Sequence, residues 1–304
     1  MLPFPLIYHD DYDLNFGDHV FPSTKYKLIR ERMIGEGFAT AGDFLQPQQS
    51  TDEELMLVHD RGWVTRLKHG TLSYHEILQL EIPYSRPMVN AFWLAAGGTA
   101  LAAQCALKSR VGFNIGGGFH HAFPGHGEGF CAIHDVAVAI RKLQSEKLIE
   151  RALVVDVDVH QGNGTAAIFA HDPSVYTLSI HQFNNYPSVK PPSTVDIHLE
   201  DNTDDEGYME SLRGPVETAL DQFRPELLMY VAGADPYEQD KLGGLSLTLD
   251  GLFERDLMVM SAAFSRNVPV CVTLAGGYAL KLEDTVTIHT NTAKAAAKAL
   301  GRAA

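Results

Sequence analysis

Apolar runs without polar alternation recur along the 304-residue chain, at 111–115, 152–159, 175–180, 227–232 and 268–274. Runs of this kind predict strands buried on both faces. Between them, helical spacing predicts helices over 133–145, 164–170, 208–223, 252–266 and 281–300. The stretch 87–109 contains AAGGTALAAQCAL and predicts a long helix packed closely on its neighbours. Residues 1–85 read mostly as short helices. Ser23 is expected to cap one running to Phe38, with Leu28, Ile29, Met33 and Ile34 at helical spacing. Thr51-x-x-Glu54 and Ser73-x-x-Glu76 are capping-box patterns. Strands alternating with helices predict an α/β fold whose parallel sheet is covered on both faces.

Nothing resembling a linker or an internal repeat divides the chain, so 1–304 is expected to be a single domain. The formal charge of −14, without a basic block, argues against nucleic-acid binding and weakly favours cationic substrates. Residues 91–107 form the most apolar stretch, but Thr99 and Gln104 interrupt it, so a buried helix rather than a membrane span is expected. The start, MLPFPLIYHDDYD, lacks the basic region of a secretory signal. Cys105, Cys131 and Cys271 form no C-x-x-C pair, which fits a reducing cytoplasm and indicates neither a disulfide framework nor a thiolate zinc site.

In an open parallel sheet, ligands bind beyond the carboxyl ends of the strands. After 111–115 comes GGGFHH, with His120 and His121. Residues 152–159 lead into DVDVHQGNG, with Asp156, Asp158, His160 and Asn163. His181 follows 175–180, Asp235 follows 227–232, and Tyr278 follows 268–274. Side chains distant in sequence thus converge on one edge. In a strand, Asp158 and His160 project to the same side. With Asp235 they form a two-carboxylate, one-imidazole set that leaves room for water, as catalytic zinc sites do. The hard oxygen ligands also admit Fe²⁺, Co²⁺ or Mn²⁺. Asp156 is placed to hold one imidazole of the pair and Asn163 the other. A carboxylate partner raises a histidine's pKa more than an amide does, splitting the pair into a cationic and a neutral member. A hydroxyl presented by Tyr278 suits a developing oxyanion.

Gly162-x-Gly164-x-x-Ala167 imitates a dinucleotide fingerprint. Two carboxylates just before it would repel a pyrophosphate, and no acid follows at the expected distance.

GGGFHH, GEGFC, DVDVHQGNGT, AGADPYEQDKLGGLSLT and LAGGY, in this order, resemble the histone deacetylase family. HQGNG, LGGLS and the compact length are most similar to its class IV branch and bacterial relatives. The resemblance implies a three-layer α/β/α sandwich of the arginase–deacetylase type. It implies zinc on Asp158, His160 and Asp235, with His121 as general base and acid. His120 is implied as its protonated neighbour, Asp156 as the partner of His120, and Tyr278 as the residue polarising the acyl carbonyl. Gly129 stands for the acceptor of the substrate N–H, Phe130 for a tunnel wall and Tyr186 for the opposite wall. A structural potassium ion is implied at Asp156, Asp158, His160, Ser179 and Ile180. Asn163 replaces the aspartate of class I, so a less basic His121 is expected. The implied reaction is removal of an acetyl or longer fatty acyl group from acyl-lysine or a related primary amine, acetylpolyamines included. A two-manganese ureohydrolase and a non-catalytic acyl-amine sensor are the competing readings. The oligomeric state stays open. All of them require Asp235 and His160 to lie within reach of one ion.

Overall fold

The computed structural model describes residues 2–14, 17 and 19–302. Met1, Asn15, Phe16, Asp18, Ala303 and Ala304 fall inside the expected 1–304 domain but outside the described residues. The strands are β1 Leu6–Ile7, β2 Phe44–Leu45, β3 Val111–Asn114, β4 Ala152–Asp156, β5 Val175–Gln182, β6 Val195–Leu199, β7 Leu227–Ala232 and β8 Val270–Leu274. The helices are α1 Lys25–Gly35, α2 Asp52–Leu55, α3 Arg61–His69, α4 Tyr74–Leu80, α5 Arg86–Ser109, α6 Asp135–Ser145, α7 Asn163–Phe169, α8 Asp205–Phe223, α9 Leu249–Ser265 and α10 Leu282–Arg302.

The described strands form one sheet in the order β2-β1-β3-β8-β7-β4-β5-β6, and every pairing is parallel. Alternate residues of the central strands feed opposite cores. Val154, Met229 and Cys271 join α5, α6 and α7 on one face. Leu153, Val155 and Tyr230 join α1, α8, α9 and α10 on the other. This two-sided burial explains the unalternated sequence runs and gives the three layers. The sheet therefore bears out the arginase–deacetylase type of α/β fold.

Several local expectations are corrected. Ser23 does not cap α1, because its hydroxyl donates to Asp13 instead. The helix begins after Thr24 and ends at Gly35, where the N–H groups of Phe38 and Ala39 fold back onto the Met33 carbonyl. Both predicted capping boxes are present, at Thr51–Glu54 and Ser73–Glu76. Ser85 caps α5 through the Met88 N–H, so the helix starts at Arg86, one residue earlier than the sequence pattern suggested. β4 stops at Asp156 rather than Val159: the Val157 N–H still reaches the Val231 carbonyl of β7, but carboxylates accept the N–H groups of Asp158, Val159 and His160. β5 runs on to Gln182 and encloses His181. No described helix is long and apolar enough to cross a membrane.

Candidate active site

The site is assembled from the turns that leave β3, β4, β7 and β8 at one edge of the sheet. After β3 the chain passes through Gly117 and Gly118, with φ of +75° and +76°, a region that favours glycine. Buried Asp135 holds this turn, accepting the N–H groups of Gly118 (2.9 Å) and Phe119 (2.8 Å). The turn delivers His120 and His121 side by side, with ring centroids 4.0 Å apart.

The strand argument for Asp158 and His160 fails, since both lie beyond β4, yet the two side chains still meet. Asp156 Oδ1 accepts the Asp158 N–H (3.2 Å), and Asp158 Oδ1 accepts the His160 N–H (3.0 Å). Each is an aspartate bonding its own backbone two residues on, which bends the chain. Asp235 Oδ1 accepts the Val159 N–H at 2.9 Å, tying the turn after β7 to the same bend. Asp235 Oδ2 lies 3.4 Å from His160 Nδ1, and Asp158 Oδ1 lies 3.0 Å from that nitrogen.

One potential ligand atom from each of Asp158, His160 and Asp235 lies within 4.8 Å of the others, and all three residues are buried. Asp235 Oδ2 is buried without a hydrogen-bond partner. Glycines leave the space open: a Cβ on Gly276 would sit 1.9 Å from Asp235 Oδ2 and 2.7 Å from Asp158 Oδ2. An orphaned carboxylate oxygen and a cradle kept free of side chains fit a divalent cation with one nitrogen and two oxygen donors. The electrostatics call for a positive charge here. Burial, with the neighbouring Asp158 charge, pushes the Asp235 carboxyl up to about 7. Burial opposes charge on His160, but Asp158 and Asp235 outweigh it and hold the imidazole near 10.

The histidine pair splits as expected. His120 Nδ1 lies 2.7 Å from Asp156 Oδ2. Burial works against its charge, yet Asp156 and Asp158 hold its pKa up at about 9. His121 Nδ1 lies 2.7 Å from Asn163 Oδ1. Burial, reinforced by His120 and His160, pushes His121 well below its ordinary value. The two surroundings thus favour the charged form of His120 and the neutral form of His121.

A cavity of about 190 Å³ opens above this cluster, lined by His121, Gly129, Phe130, His160, Tyr186 and Tyr278, with Glu81, Asn185 and Leu242 completing it. Phe130 has φ of +68°, a left-handed conformation that costs a non-glycine residue roughly 1–2 kcal/mol. Its ring stands 6.1 Å from that of Tyr278. Gly129 leaves no room for a side chain: a Cβ would meet the His121 ring at 2.7 Å and Tyr186 at 3.1 Å. Beneath lies a void of about 20 Å³, bounded by Phe119, Cys131, Ala275 and Gly276 and sharing His121, Gly129 and Tyr278 with the first. The fold thus brings together Asp156, Asp158, His160, Asn163, Asp235, both histidines, Tyr278, Gly129, Phe130 and Tyr186. His181 is not among them; it is buried in β5 between Ser179 and His198.

Comparison with known proteins settles the kinship. The family model of the histone deacetylase domain matches residues 19–293. The chain belongs to the histone deacetylase family. It is 40% identical to an uncharacterised protein of Picosynechococcus, covering 94% of this chain and 96% of that protein. It is 30% identical to histone deacetylase 2 of Arabidopsis thaliana, covering 90% of this chain and 74% of that protein. Similarity to the acetoin utilization protein AcuC of Staphylococcus aureus is 30% identity over 86% of this chain and 72% of that one. Among solved structures, the HDA15 HD domain superposes with a TM-score of 0.78 at 24% identity, covering 98% of this chain and 91% of that one, and so shares the fold. Membership makes the chain a hydrolase of the deacetylase type.

Within this histone deacetylase site, several residues escaped the sequence reading. Lys25 is fully buried and donates from Nζ to the Ala275 carbonyl at 2.6 Å. Burial lowers its pKa to about 8, with Asp235, Asp158 and Asp240 opposing. Asp240 Oδ2 accepts the Tyr278 N–H at 2.6 Å. Glu81 and Leu242 reach the cavity from separate loops. None carries a local signal, because each acts on residues far away in sequence. The glycine pattern at Gly162 and Gly164 also finds its reason. A Cβ on Gly164 would lie 2.4 Å from the Ala122 carbonyl and 2.7 Å from that of His120, so the glycine serves close packing of α7 on the histidine turn.

Proposed function

We propose that residues 1–304 form one zinc-dependent deacetylase domain that hydrolyses the amide of an acetyl-lysine or a related acetylated primary amine. The observation that carries this reading is a cavity lined by the neutral His121 imidazole, by buried Tyr278 and by His160, which belongs to the buried Asp158–His160–Asp235 cluster. Asp158, His160 and Asp235 would hold the zinc, which when bound supplies Lewis acidity toward a carbonyl and lowers the pKa of water toward roughly 7. Fe²⁺ or Co²⁺ would suit the same donors.

The chain's own groups do the rest. His121, kept neutral, takes the proton from the attacking water. Tyr278 donates its hydroxyl to the developing oxyanion; burial holds its pKa well above the ordinary value, so the proton stays in place. His120, held cationic by Asp156, lowers the cost of negative charge at the reacting carbon. A histidine proton then goes to the leaving amine. Gly129 offers its carbonyl to the substrate N–H, and Phe130 and Tyr186 flank the apolar stem of the amine. The resemblance extends the reading to potassium at Asp156, Asp158, His160, Ser179 and Ile180.

The lower void supports a short acyl group. A water-sized group needs about 10–15 Å³ by this measure, so about 20 Å³ has room for a methyl. A second reading, a small acetylated polyamine, is favoured by the Glu81 carboxylate lining the cavity. One experiment tests all of this: an acyl-length series on one lysine peptide, run beside acetylputrescine, with metal analysis of the same sample. The reading expects the acetyl substrate to lead and one zinc per chain. Two manganese ions, or no turnover of any acyl-amine, would refute it.

A further inference from the structure

Glu128 has none of the roles assigned above, yet it touches two residues that do. Its half-buried carboxylate engages four groups. Oε1 accepts from Asn163 Nδ2 at 2.5 Å and from the Tyr186 hydroxyl at 2.7 Å. Oε2 accepts from His126 Nε2 at 3.2 Å and from Gln79 Nε2 at 3.3 Å. Burial opposes its charge, but these donors hold its pKa below the usual range, so it is ionised.

An ionised carboxylate can only accept hydrogen bonds, whereas an asparagine amide has a donor end and an acceptor end of nearly equal size. Shape alone leaves such an amide two orientations. Facing Glu128, only the NH₂ end is favourable, so Oδ1 must point the other way. There it meets His121 Nδ1 at 2.7 Å and the Gly164 N–H at 3.1 Å. An acceptor at Nδ1 places the neutral ring's proton on that nitrogen and leaves the lone pair on Nε2.

We propose that Glu128 is a positioning residue that fixes the Asn163 amide, thereby sets the His121 tautomer whose Nε2 can take a proton, and through the same oxygen anchors the Tyr186 wall. The inference rests on His121 being the base. A carboxylate one amide removed orients the ring without the large rise in basicity that direct contact brings. A glutamate that merely tied neighbouring loops together would not care which residue stands at 163.

That difference supplies the test, a reciprocal exchange assayed on an acetyl-lysine peptide. E128Q removes the acceptor-only group and is expected to lower kcat ~10-fold, at the lower end of the range for outer partners of catalytic groups. N163D places two carboxylates in contact and is expected to lose at least as much. In the double variant the introduced glutamine amide donates to the introduced aspartate, which again accepts from His121 Nδ1. Recovery of most of the lost kcat is expected. Wild-type kcat in E128Q, or a double variant no faster than the product of the single losses, overturns the proposal. Should E128Q alone be insoluble, the comparison of N163D with the double variant still decides. H121A, run alongside, separates the two levels: if it turns over like wild type, the base assignment falls. If it is inactive and the exchange gives no recovery, the role of Glu128 falls alone.

Discussion

Replacing Tyr278 with phenylalanine isolates one hydroxyl. The ring is buried, with centroids 6.2 Å from Phe21, 6.1 Å from Phe130 and 6.4 Å from His160. Those contacts survive in phenylalanine. The backbone position survives as well, since the Tyr278 N–H to Asp240 bond of 2.6 Å does not involve the side chain. Folding should therefore change little, because the ring contacts stay and no buried charge is stranded. Transition-state stabilisation is another matter. Losing one preorganised oxyanion donor typically removes about 2.7–4 kcal/mol, or ~10²–10³ in kcat. Burial keeps the hydroxyl protonated far above neutrality, so the loss should not depend on pH between 6 and 9. The assay is kcat and KM on an acetyl-lysine peptide, with melting temperature and zinc content measured on the same preparations. A variant that melts like wild type, holds its metal and retains wild-type kcat would falsify the role given to Tyr278.

Gly276→Ala is expected to strip the metal while leaving the sheet intact, because its Cβ would fall 1.9 Å from Asp235 Oδ2; bound zinc counted after dialysis checks this. Glu81→Gln should raise KM for acetylputrescine more than for a neutral acetyl-lysine peptide, and equal shifts would remove Glu81 from substrate selection. His59 is buried, its Nδ1 on the Phe123 carbonyl and its Nε2 accepting the His134 N–H. Burial lowers its pKa from 6.5 to about 4. The unfolded chain therefore binds the proton first, so stability is complete above about pH 6.5 and falls as pH drops toward 4, by roughly 3 kcal/mol in all. His59→Gln should be less stable at pH 7 but show a shallower loss between pH 6.5 and 4 in denaturant titrations.

The sequence and the structure agree where signals are local. Capping boxes at Thr51 and Ser73 need only four residues, and the buried strands declare themselves as unbroken apolar runs. β1 and β2, at two residues each, are too short for any pattern, and their pairing depends on β3. β6, reading Val-Asp-Ile-His-Leu, is half-exposed and follows two prolines, so it escaped notice. The apolar run 152–159 predicts a strand to Val159, whereas the carboxylates of Asp156, Asp158 and Asp235 take over the N–H groups of Asp158, His160 and Val159. Asp158, His160 and Asp235 were found because strand ends are predictable. Glu128 and Lys25 were not, because their contacts span 35 and 250 residues.

The strand order has a bearing on how the molecule comes into being. β8, the last of the described strands in chain order, lies between β3 and β7. Without β8, the described strands can pair only as two part-sheets, β2-β1-β3 and β7-β4-β5-β6, each with an unpaired inner margin of the sort that invites aggregation. All three candidate cation ligands follow strands of the second half. A metal ion could thus be captured there during synthesis, before the histidines after β3 and the tyrosine after β8 are drawn in beside it. Assembly of the site would then coincide with insertion of β8.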